Sequence, residues 1–222
     1  MNTKEDPRRA SYFTPFPYNS SPATYKGVAP VPGAQALNYS RLHTYLRGAA
    51  TAGPTTVNPD GSIGATAITY SGTAPTRMLT AAEYFFIRAE ASVRFGSAGD
   101  PATHFESGIR ASMSMAGVPE SDATAYVNAR LAAFNAADNA GKIREILEEK
   151  YTANYGVPLE AWSDWRRTGH PTFIVPPTNA ALNISGGGVP RILPYALGEQ
   201  SANPNTPARS NLASGRVFWD TP

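Results

Sequence analysis

Two carboxylates four residues apart come nearest to a catalytic pair in this sequence. Glu160 and Asp164 would share one face of a helix, and cleavage of a glycosidic bond needs only two carboxyl groups that face one cleft. Arg166 and Arg167 follow closely, so Asp164 is explained more simply as an ion-pair partner. A second pair, Asp60 with Glu199, would have to come together from two loops.

The other side chains that carry out catalysis in proteins form no recognisable motif here. The histidines His43, His104 and His170 lie in three separate regions, and no His-Glu-x-x-His motif holds two of them on one helix. No Gly-x-Ser-x-Gly elbow offers an activated serine. The triplet at residues 186–188 lacks the Lys-Ser/Thr that follows in a phosphate loop. The sequence therefore predicts no catalytic residue, no metal and no cofactor.

Aromatic rings near the start of the chain offer a different chemistry. Loop aromatics on a rigid helical scaffold bind sugars and peptides, because each ring buries a large area at a small entropic cost. The alternative is that the rings only fix a long loop onto the helices. We take seven as candidate ligand-binding residues: Tyr12, Phe13, Phe16, Tyr18, Tyr25, Tyr39 and Tyr45.

A second group of aromatics is expected to be structural. Trp162 and Trp165 lie three residues apart, and Arg166 and Arg167 follow at the predicted end of the helix. Tryptophans at this spacing are typical of core anchors, and a buried guanidinium is expected to pair with a carboxylate or with loop carbonyls. Stacking of these tryptophans on a sugar ring, or an anion site at the arginines, is the minor alternative.

The elements that would position these residues are mainly helices. Hydrophobic residues recur with helical periodicity between residues 80 and 168. Thr80 and Glu83 predict a capping box at the start of the first helix. Tyr84, Ile87 and Ala91 predict its main apolar stripe, which Phe85, Ala89 and Val93 widen. The predicted helices span residues 80–95, 100–116, 121–134, 141–155 and 158–168.

The first two helices are predicted to form an antiparallel hairpin similar to a tetratricopeptide (TPR) unit. Small residues, Ala89 and Gly108, would lie where the helices meet, and Phe105, Ile109 and Met113 would form the buried stripe of the second helix. No second copy occurs at a 34-residue offset, so the hairpin is TPR-like and does not belong to a TPR array.

The glutamates of the fourth helix are predicted to be exposed. Glu145, Glu148 and Glu149 lie on what we interpret as an ordinary solvated face of residues 141–155.

The two ends of the chain, residues 1–79 and 169–222, are rich in proline, glycine and other loop formers. Residues 57–62 predict a turn that could close a hairpin with residues 62–71. The predicted fold class is therefore mainly α, with TPR-like helical hairpins and long irregular loops, and it allows one small β-hairpin.

Composition narrows the choice of function. The chain has 222 residues, of which 41% are hydrophobic, enough for one sizeable core or two small ones. A net charge of +2, with no clustering of cations on one predicted face, argues against nucleic acid as a partner. The absence of cysteine excludes disulfides and thiolate metal sites. No apolar run approaches the ~20 residues of a membrane helix.

Six segments, in order along the chain, resemble the motifs of a single protein family. The match at residues 160–171, Glu-Ala-Trp-Ser-Asp-Trp-Arg-Arg-Thr-Gly-His-Pro, is especially close. The closing segment contains Trp219. The segments cover nearly the whole chain: residues 6–9, 79–91, 104–112, 160–171, 190–205 and 217–220. Together they resemble the C-terminal half of the SusD/RagB-type nutrient-binding outer-membrane lipoproteins.

The resemblance implies a SusD-like α-helical fold, of which residues 1–222 would be the C-terminal portion of a single domain. It also implies a lipid-anchored protein on the cell-surface face of the outer membrane. There it would bind an oligosaccharide or peptide and pass it to a SusC-like TonB-dependent transporter. Family members are longer and begin with a lipoprotein signal and an acylated cysteine. This chain has neither, so we expect a fragment whose only contact with the membrane would be through the missing anchor.

The leading hypothesis is thus non-enzymatic binding of glycans or peptides by loop residues, with the helices and the Trp162–Arg167 segment as scaffold. Two alternatives stay open. One is a glycoside hydrolase that uses Glu160 with Asp164, or Asp60 with Glu199. The other is a TPR-like protein-interaction scaffold, which an exposed apolar groove along residues 80–116 would favour.

Overall fold

The structure is a computed structural model, and it describes residues 1–18, 20–28, 38–53, 58–60, 68–96, 99–176, 187–207 and 211–220. The chain divides into two compact units. Unit 1 comprises Met1–Gly27 and Gln35–Ala161, and unit 2 comprises Val28–Ala34 and Trp162–Pro222. The expectation that residues 1–222 belong to a single SusD-like domain stays a prediction.

The fold is mainly helical, as the sequence predicts. In the described part of the chain the order of elements is α1 (Arg9–Tyr12), α2 (Thr44–Arg47), β1 (Ala50–Ala52), β2 (Ile68–Tyr70), α3 (Ala81–Phe95), α4 (Pro101–Met115), α5 (Glu120–Ala136), α6 (Asn139–Ala153), α7 (Pro158–Thr168) and α8 (Leu197–Ala202). The five predicted helices are α3 to α7. Within the described ranges, no helix combines the length and the apolarity needed to span a membrane.

Side-chain caps mark where three helices of unit 1, α3, α4 and α6, begin. The hydroxyl of Thr80 accepts the Glu83 N–H (3.1 Å), and the carboxylates of Asp100 and Asp138 accept N–H groups in the first turns of α4 and α6. Only half of the predicted capping box forms. The Glu83 side chain turns inward and pairs with Lys150 of α6 (3.4 Å).

The core of unit 1 lies between α3, α4, α5 and α6. Phe105 stacks on Phe134 with ring centroids 4.5 Å apart and meets Phe86 edge-on at 6.2 Å. The predicted α4 stripe, which includes Ile109 and Met113, is buried as expected.

The main predicted apolar stripe of α3 is wrong, whereas Ala89 and Val93, which were predicted to widen it, pack in the core. Tyr84 and Ile87 are 49% and 47% exposed, whereas Ala82, Phe86 and Ala89 are fully buried. The sequence of α3 is apolar on more than one face, so the helical period alone does not select the face that packs. The selection comes from α4, where Gly108 leaves room for the ring of Phe86.

Replacing Gly108 with alanine is expected to lower the free energy of unfolding by about 1–3 kcal/mol, because overpacking strains a filled core. A Cβ atom there would lie 2.8–2.9 Å from atoms of the Phe86 ring. Gly27 in the same unit has nothing within 4 Å of such a Cβ, so Gly27→Ala is the control and should stay within about 0.5 kcal/mol of the parent. Urea unfolding measures both, and equal losses would contradict the packing described here.

One small antiparallel β-ladder is present, as the fold class allows. Ala50 pairs with Tyr70 and Ala52 with Ile68. Residues 54–57 and 61–67, which include most of the predicted turn and strand, lie outside the described residues. The sequence did not predict α1 or the short helix α8, which fits between Pro194 and Pro204.

Candidate functional site

Three loop segments of unit 1 are joined by backbone hydrogen bonds. The Thr14 N–H donates to the Arg41 carbonyl (2.9 Å), and the Phe16 N–H donates to that of Thr24 (2.8 Å). The Ser40 N–H donates to the Lys26 carbonyl (2.9 Å). Residues 12–16, 24–26 and 40–43 therefore form one framework, which holds most of the candidate rings.

Two of the seven predicted ligand-binding rings are buried and must be withdrawn from the set. Tyr12 is 0% and Tyr45 4% exposed. Tyr12 stacks on Tyr155 at 4.4 Å, lies 4.6 Å from the Tyr45 ring, and donates its hydroxyl to the Thr152 carbonyl (3.2 Å). Burial raises the pKa of Tyr155 to about 12. A ring that solvent cannot reach cannot stack on a ligand, so these two residues fix the loops onto the helices.

The other five rings, Phe13, Phe16, Tyr18, Tyr25 and Tyr39, are partly exposed, and cations accompany three of them. The Lys26 ammonium lies 5.0 Å from the centroid of Phe16 and 4.9 Å from that of Tyr39. The Arg9 guanidinium lies 5.2 Å from Tyr25. These distances are within the range of cation–π contacts. Ligand binding by these rings stays a prediction.

Sequence reasoning missed a further cluster beside β2. The Arg47 guanidinium lies 3.8 Å from the centroid of the Tyr70 ring, and a hydrogen bond of 2.9 Å joins the Tyr70 hydroxyl to Nδ1 of His43. Burial and the charge of Arg47 lower the pKa of His43, so its imidazole is neutral at pH 7. Tyr70 lies 25 residues beyond Tyr45 in the sequence, and only the β1–β2 pairing brings it to this place.

Two clefts of about 340 and 330 Å³ adjoin this part of unit 1. Both are lined by Ser11, Thr44, Ala116 and Gly117. Their walls are mostly small side chains, which offer little area for stacking. The exposed rings and cations are therefore the better candidates for ligand contact.

A buried ionic network anchors the start of the chain to the helices of unit 1. Arg8 pairs with Asp6 and with Glu149 of α6, both at 2.7 Å, and donates to the Ser112 hydroxyl (2.9 Å). The Tyr126 hydroxyl donates to Glu149 (2.7 Å). We call these five residues the Arg8 network. Asp6, Arg8 and Glu149 are each at most 1% exposed, so their two carboxylates have no access to a substrate.

The prediction that the α6 glutamates form a solvated face is therefore wrong for two of them. Glu149 is 1% and Glu145 8% exposed, while Glu148 is half-buried and pairs with Lys4 (2.9 Å). Burial by itself would raise the pKa of Glu149, but the charges of Arg8 and Lys4 outweigh it, and the pKa is lowered. Glu149 is thus an ionised internal group that needs its partners.

In unit 2 the predicted structural residues surround two arginines. The Arg166 guanidinium lies between the rings of Trp162 (3.7 Å) and Trp219 (4.4 Å) and donates to the Arg191 carbonyl (3.0 Å). Arg191 lies 4.9 Å from the centroid of Trp165 and pairs with Asp220. We call these six residues the Arg191 network. Arg167, the remaining residue of the predicted set, is exposed and pairs with Asp164 (2.6 Å).

The carboxylates considered for hydrolysis lie in ordinary structural surroundings. Asp164 forms the expected ion pair with Arg167. Glu160 is exposed. Glu199 accepts a hydrogen bond from Asn203 (2.6 Å), and Asp60 is exposed. Among the described residues, no group of three or more His, Asp or Glu side chains could hold a metal ion.

Several solved structures with the same fold are SusD homologues. A SusD homologue from Bacteroides uniformis is 25% identical, with a TM-score of 0.69 over 100% of this chain and 48% of its own. A SusD-like protein from Bacteroides thetaiotaomicron is 28% identical, with a TM-score of 0.61 over 90% of this chain and 43% of its own. A chitin-binding SusD homologue from Flavobacterium johnsoniae shares the fold at 22% identity (TM-score 0.65, 100% of this chain, 48% of its own).

The chain belongs to the SusD-like family described as starch-binding and associating with the outer membrane, which matches residues 1–195. It spans about half the length of the SusD homologues named above. No curated protein matches it.

Proposed function

We propose that this chain is part of a non-enzymatic glycan-binding protein of the cell surface. The observation that carries the proposal is the set of partly exposed rings, among them Phe16, Tyr25 and Tyr39, on the hydrogen-bonded loops of unit 1. Sugar rings present C–H faces that stack on aromatic side chains. The starch-binding description of the family and the chitin-binding homologue support a glycan as ligand.

Delivery of the ligand to a SusC-like TonB-dependent transporter, and attachment by a lipid anchor, belong to the same proposal. They rest on the resemblance to the family, which is described as associating with the outer membrane. Peptides stay in the proposal as the second ligand class, because exposed tyrosine rings accept peptide side chains as readily as sugar rings.

Isothermal titration calorimetry of the 222-residue chain against a panel of oligosaccharides and peptides tests the proposal. Tyr39→Ala should weaken binding of the best ligand about tenfold, which corresponds to ~1.4 kcal/mol for one stacked ring. Tyr151 is also a partly exposed tyrosine, but it lies on α6, so Tyr151→Ala is the matched control and should bind as the parent does. A folded chain that binds no member of the panel, or equal losses in the two variants, would contradict the proposal.

A further inference from the structure

The loops that carry the candidate rings are basic, while the helices are acidic. Residues 10–79 contain four cations, Lys26, Arg41, Arg47 and Arg77, and one acid, Asp60. Residues 80–168 contain nine Lys/Arg and twelve Asp/Glu. The net charge of +2 for the whole chain conceals this separation. A ligand that approaches the rings therefore meets a positive potential, which favours anions.

Among the described residues, aromatic rings and not carboxylates contact three of the four loop cations. Lys26 lies over Phe16 and Tyr39, Arg47 over Tyr70, and Arg77 over Tyr45 at 3.6 Å. In the part of the chain that the structure describes, none of these cations forms an ion pair. Several cations elsewhere pair with carboxylates instead: Arg94 with Glu90, Arg110 with Glu106 and Arg191 with Asp220.

A ring and a carboxylate have different effects on a cation. Both restrict its orientation, but only the carboxylate neutralises its charge. Arg47 is exposed, and its guanidinium carbon lies 3.8 Å from the centroid of the Tyr70 ring, whose hydroxyl is hydrogen-bonded in turn to His43. The guanidinium is thus pre-oriented while its N–H groups keep their charge, and this lowers the entropic cost of binding an anion.

Arg41 contributes a second charge at the same place. Its backbone is fixed by two hydrogen bonds with Thr14 (2.9 and 3.0 Å), and it is partly exposed. Burial raises the pKa of Tyr70, and the charges of Arg47 and Arg41 both oppose that rise. The positive charges of both arginines therefore act on the hydroxyl of Tyr70.

We propose that Arg41 and Arg47, beside Tyr70, bind an anionic group on the sugar ring of an acidic glycan, a carboxylate or a sulfate. This inference rests on the proposed function and narrows its ligand class. The planar guanidinium forms two parallel hydrogen bonds with either anion. Neutral starch or chitin offers no such group, so the preferred ligand differs in charge from those named for the family and for the homologue.

The test is calorimetric titration of the 222-residue chain with five hexameric probes: hexagalacturonate, a sulfated carrageenan hexasaccharide, maltohexaose, chitohexaose and a hexaglutamate peptide. Of the two acidic hexasaccharides, we expect the one that binds more tightly to bind at least about tenfold more tightly than either neutral hexasaccharide. Comparing the two acidic probes shows whether the site prefers a carboxylate or a sulfate. The affinity should fall as salt is added, because salt screens exposed charges.

Arg47→Gln should weaken binding of the acidic probe about tenfold and leave neutral probes unaffected. Arg144 on α6 is equally cationic and 49% exposed, so Arg144→Gln is the control and should bind as the parent does. Arg41→Gln provides a second variant if circular dichroism shows that Arg47→Gln has not folded.

The outcomes separate the two proposals. Neutral glycans that bind as tightly as acidic ones would overturn this inference and leave glycan binding intact. Equal binding of hexaglutamate would also overturn it, since charge alone would then suffice. Failure of all four glycans would overturn the proposed function together with this inference.

Discussion

Replacing Arg8 with alanine is expected to lower the free energy of unfolding by about 3–5 kcal/mol, the usual cost of removing one partner from a buried ion pair. Arg8 is fully buried, and its loss would leave the carboxylates of Asp6 and Glu149 without their main counter-charge. Urea unfolding followed by far-ultraviolet circular dichroism measures the effect, because most of the described helix lies in unit 1.

Arg144→Ala is the matched control for this prediction. Arg144 contacts Glu145 at 3.6 Å on the surface of α6, and exposed pairs contribute only about 0–1 kcal/mol. The account of the Arg8 network would be wrong if both alanine variants lost the same stability. It would also be wrong if Arg8→Ala unfolded at the urea concentration of the parent.

The Arg8 network also predicts how stability depends on pH. The pKa of Glu149 is lowered in the folded chain from its ordinary value of 4.5. The stabilisation by its charge is therefore fully present above pH 4.5 and is lost as the pH falls through the lower folded value. In the Glu149→Gln variant, the free energy of unfolding should therefore fall less steeply with decreasing pH than in the parent. Urea unfolding curves of both proteins, collected at several pH values below 4.5, measure this difference.

Replacing Arg191 with alanine is expected to destabilise unit 2 by about 2–3 kcal/mol, the scale of hydrogen bonds to a charged group that becomes unpaired. Arg191 pairs with Asp220, which is 2% exposed, and also donates to the Arg166 carbonyl. The chain has three tryptophans, Trp162, Trp165 and Trp219, and all lie in unit 2. Tryptophan fluorescence during urea unfolding therefore reports on this unit.

Arg216 offers a control on the same carboxylate. It contacts Asp220 at 3.2 Å but is 42% exposed, so Arg216→Ala should cost less than about 1 kcal/mol. If the fluorescence transition shifted by the same amount in both variants, Arg191 would stabilise unit 2 no more than an exposed ion pair does.

The helices could be predicted from the sequence because their signals are local. Thr80, Asp100 and Gly96 mark ends by capping and by a left-handed conformation, and the Phe105 stripe repeats every four residues. The packing face of α3 was predicted only in part. Ala89 was expected where the helices meet, but aromatic rings lie on more than one face, and the main stripe was assigned to Tyr84 and not to Phe86. Only the small residue Gly108 on α4 selects the face that carries Phe86.

The Arg8 network could not be predicted because its partners are distant in sequence. Arg8 and Glu149 are 141 residues apart. Several glutamates on one face of a predicted helix indicate that this face is exposed to solvent, and nothing local in the sequence shows that a buried cation lies opposite Glu149. The motif at residues 6–9 pointed to the family but carried no information about burial.

The candidate site was predicted in part. The loop rings were identified by residue type alone. Residue type does not show which tyrosines are buried: Tyr12 and Tyr45 pack on Tyr155, whereas Tyr39 stays accessible. Tyr70 was missed because its place depends on strand pairing with Ala50. The cations beside the rings were visible in the sequence, but only the structure shows that, within the described residues, Lys26, Arg47 and Arg77 contact rings and form no ion pair.

The central claim is that the loops bind the ligand, while the Arg8 and Arg191 networks only support the fold. Hydrogen–deuterium exchange, measured with and without a saturating concentration of hexagalacturonate or of whichever probe binds best, tests this claim most directly. Ligand should slow exchange in residues 38–47 and 68–77, around Arg41, Arg47 and Tyr70, and leave α7 unchanged. Slower exchange confined to residues 162–168, with none in the loops, would place the ligand on the Trp162–Arg167 segment and contradict the account.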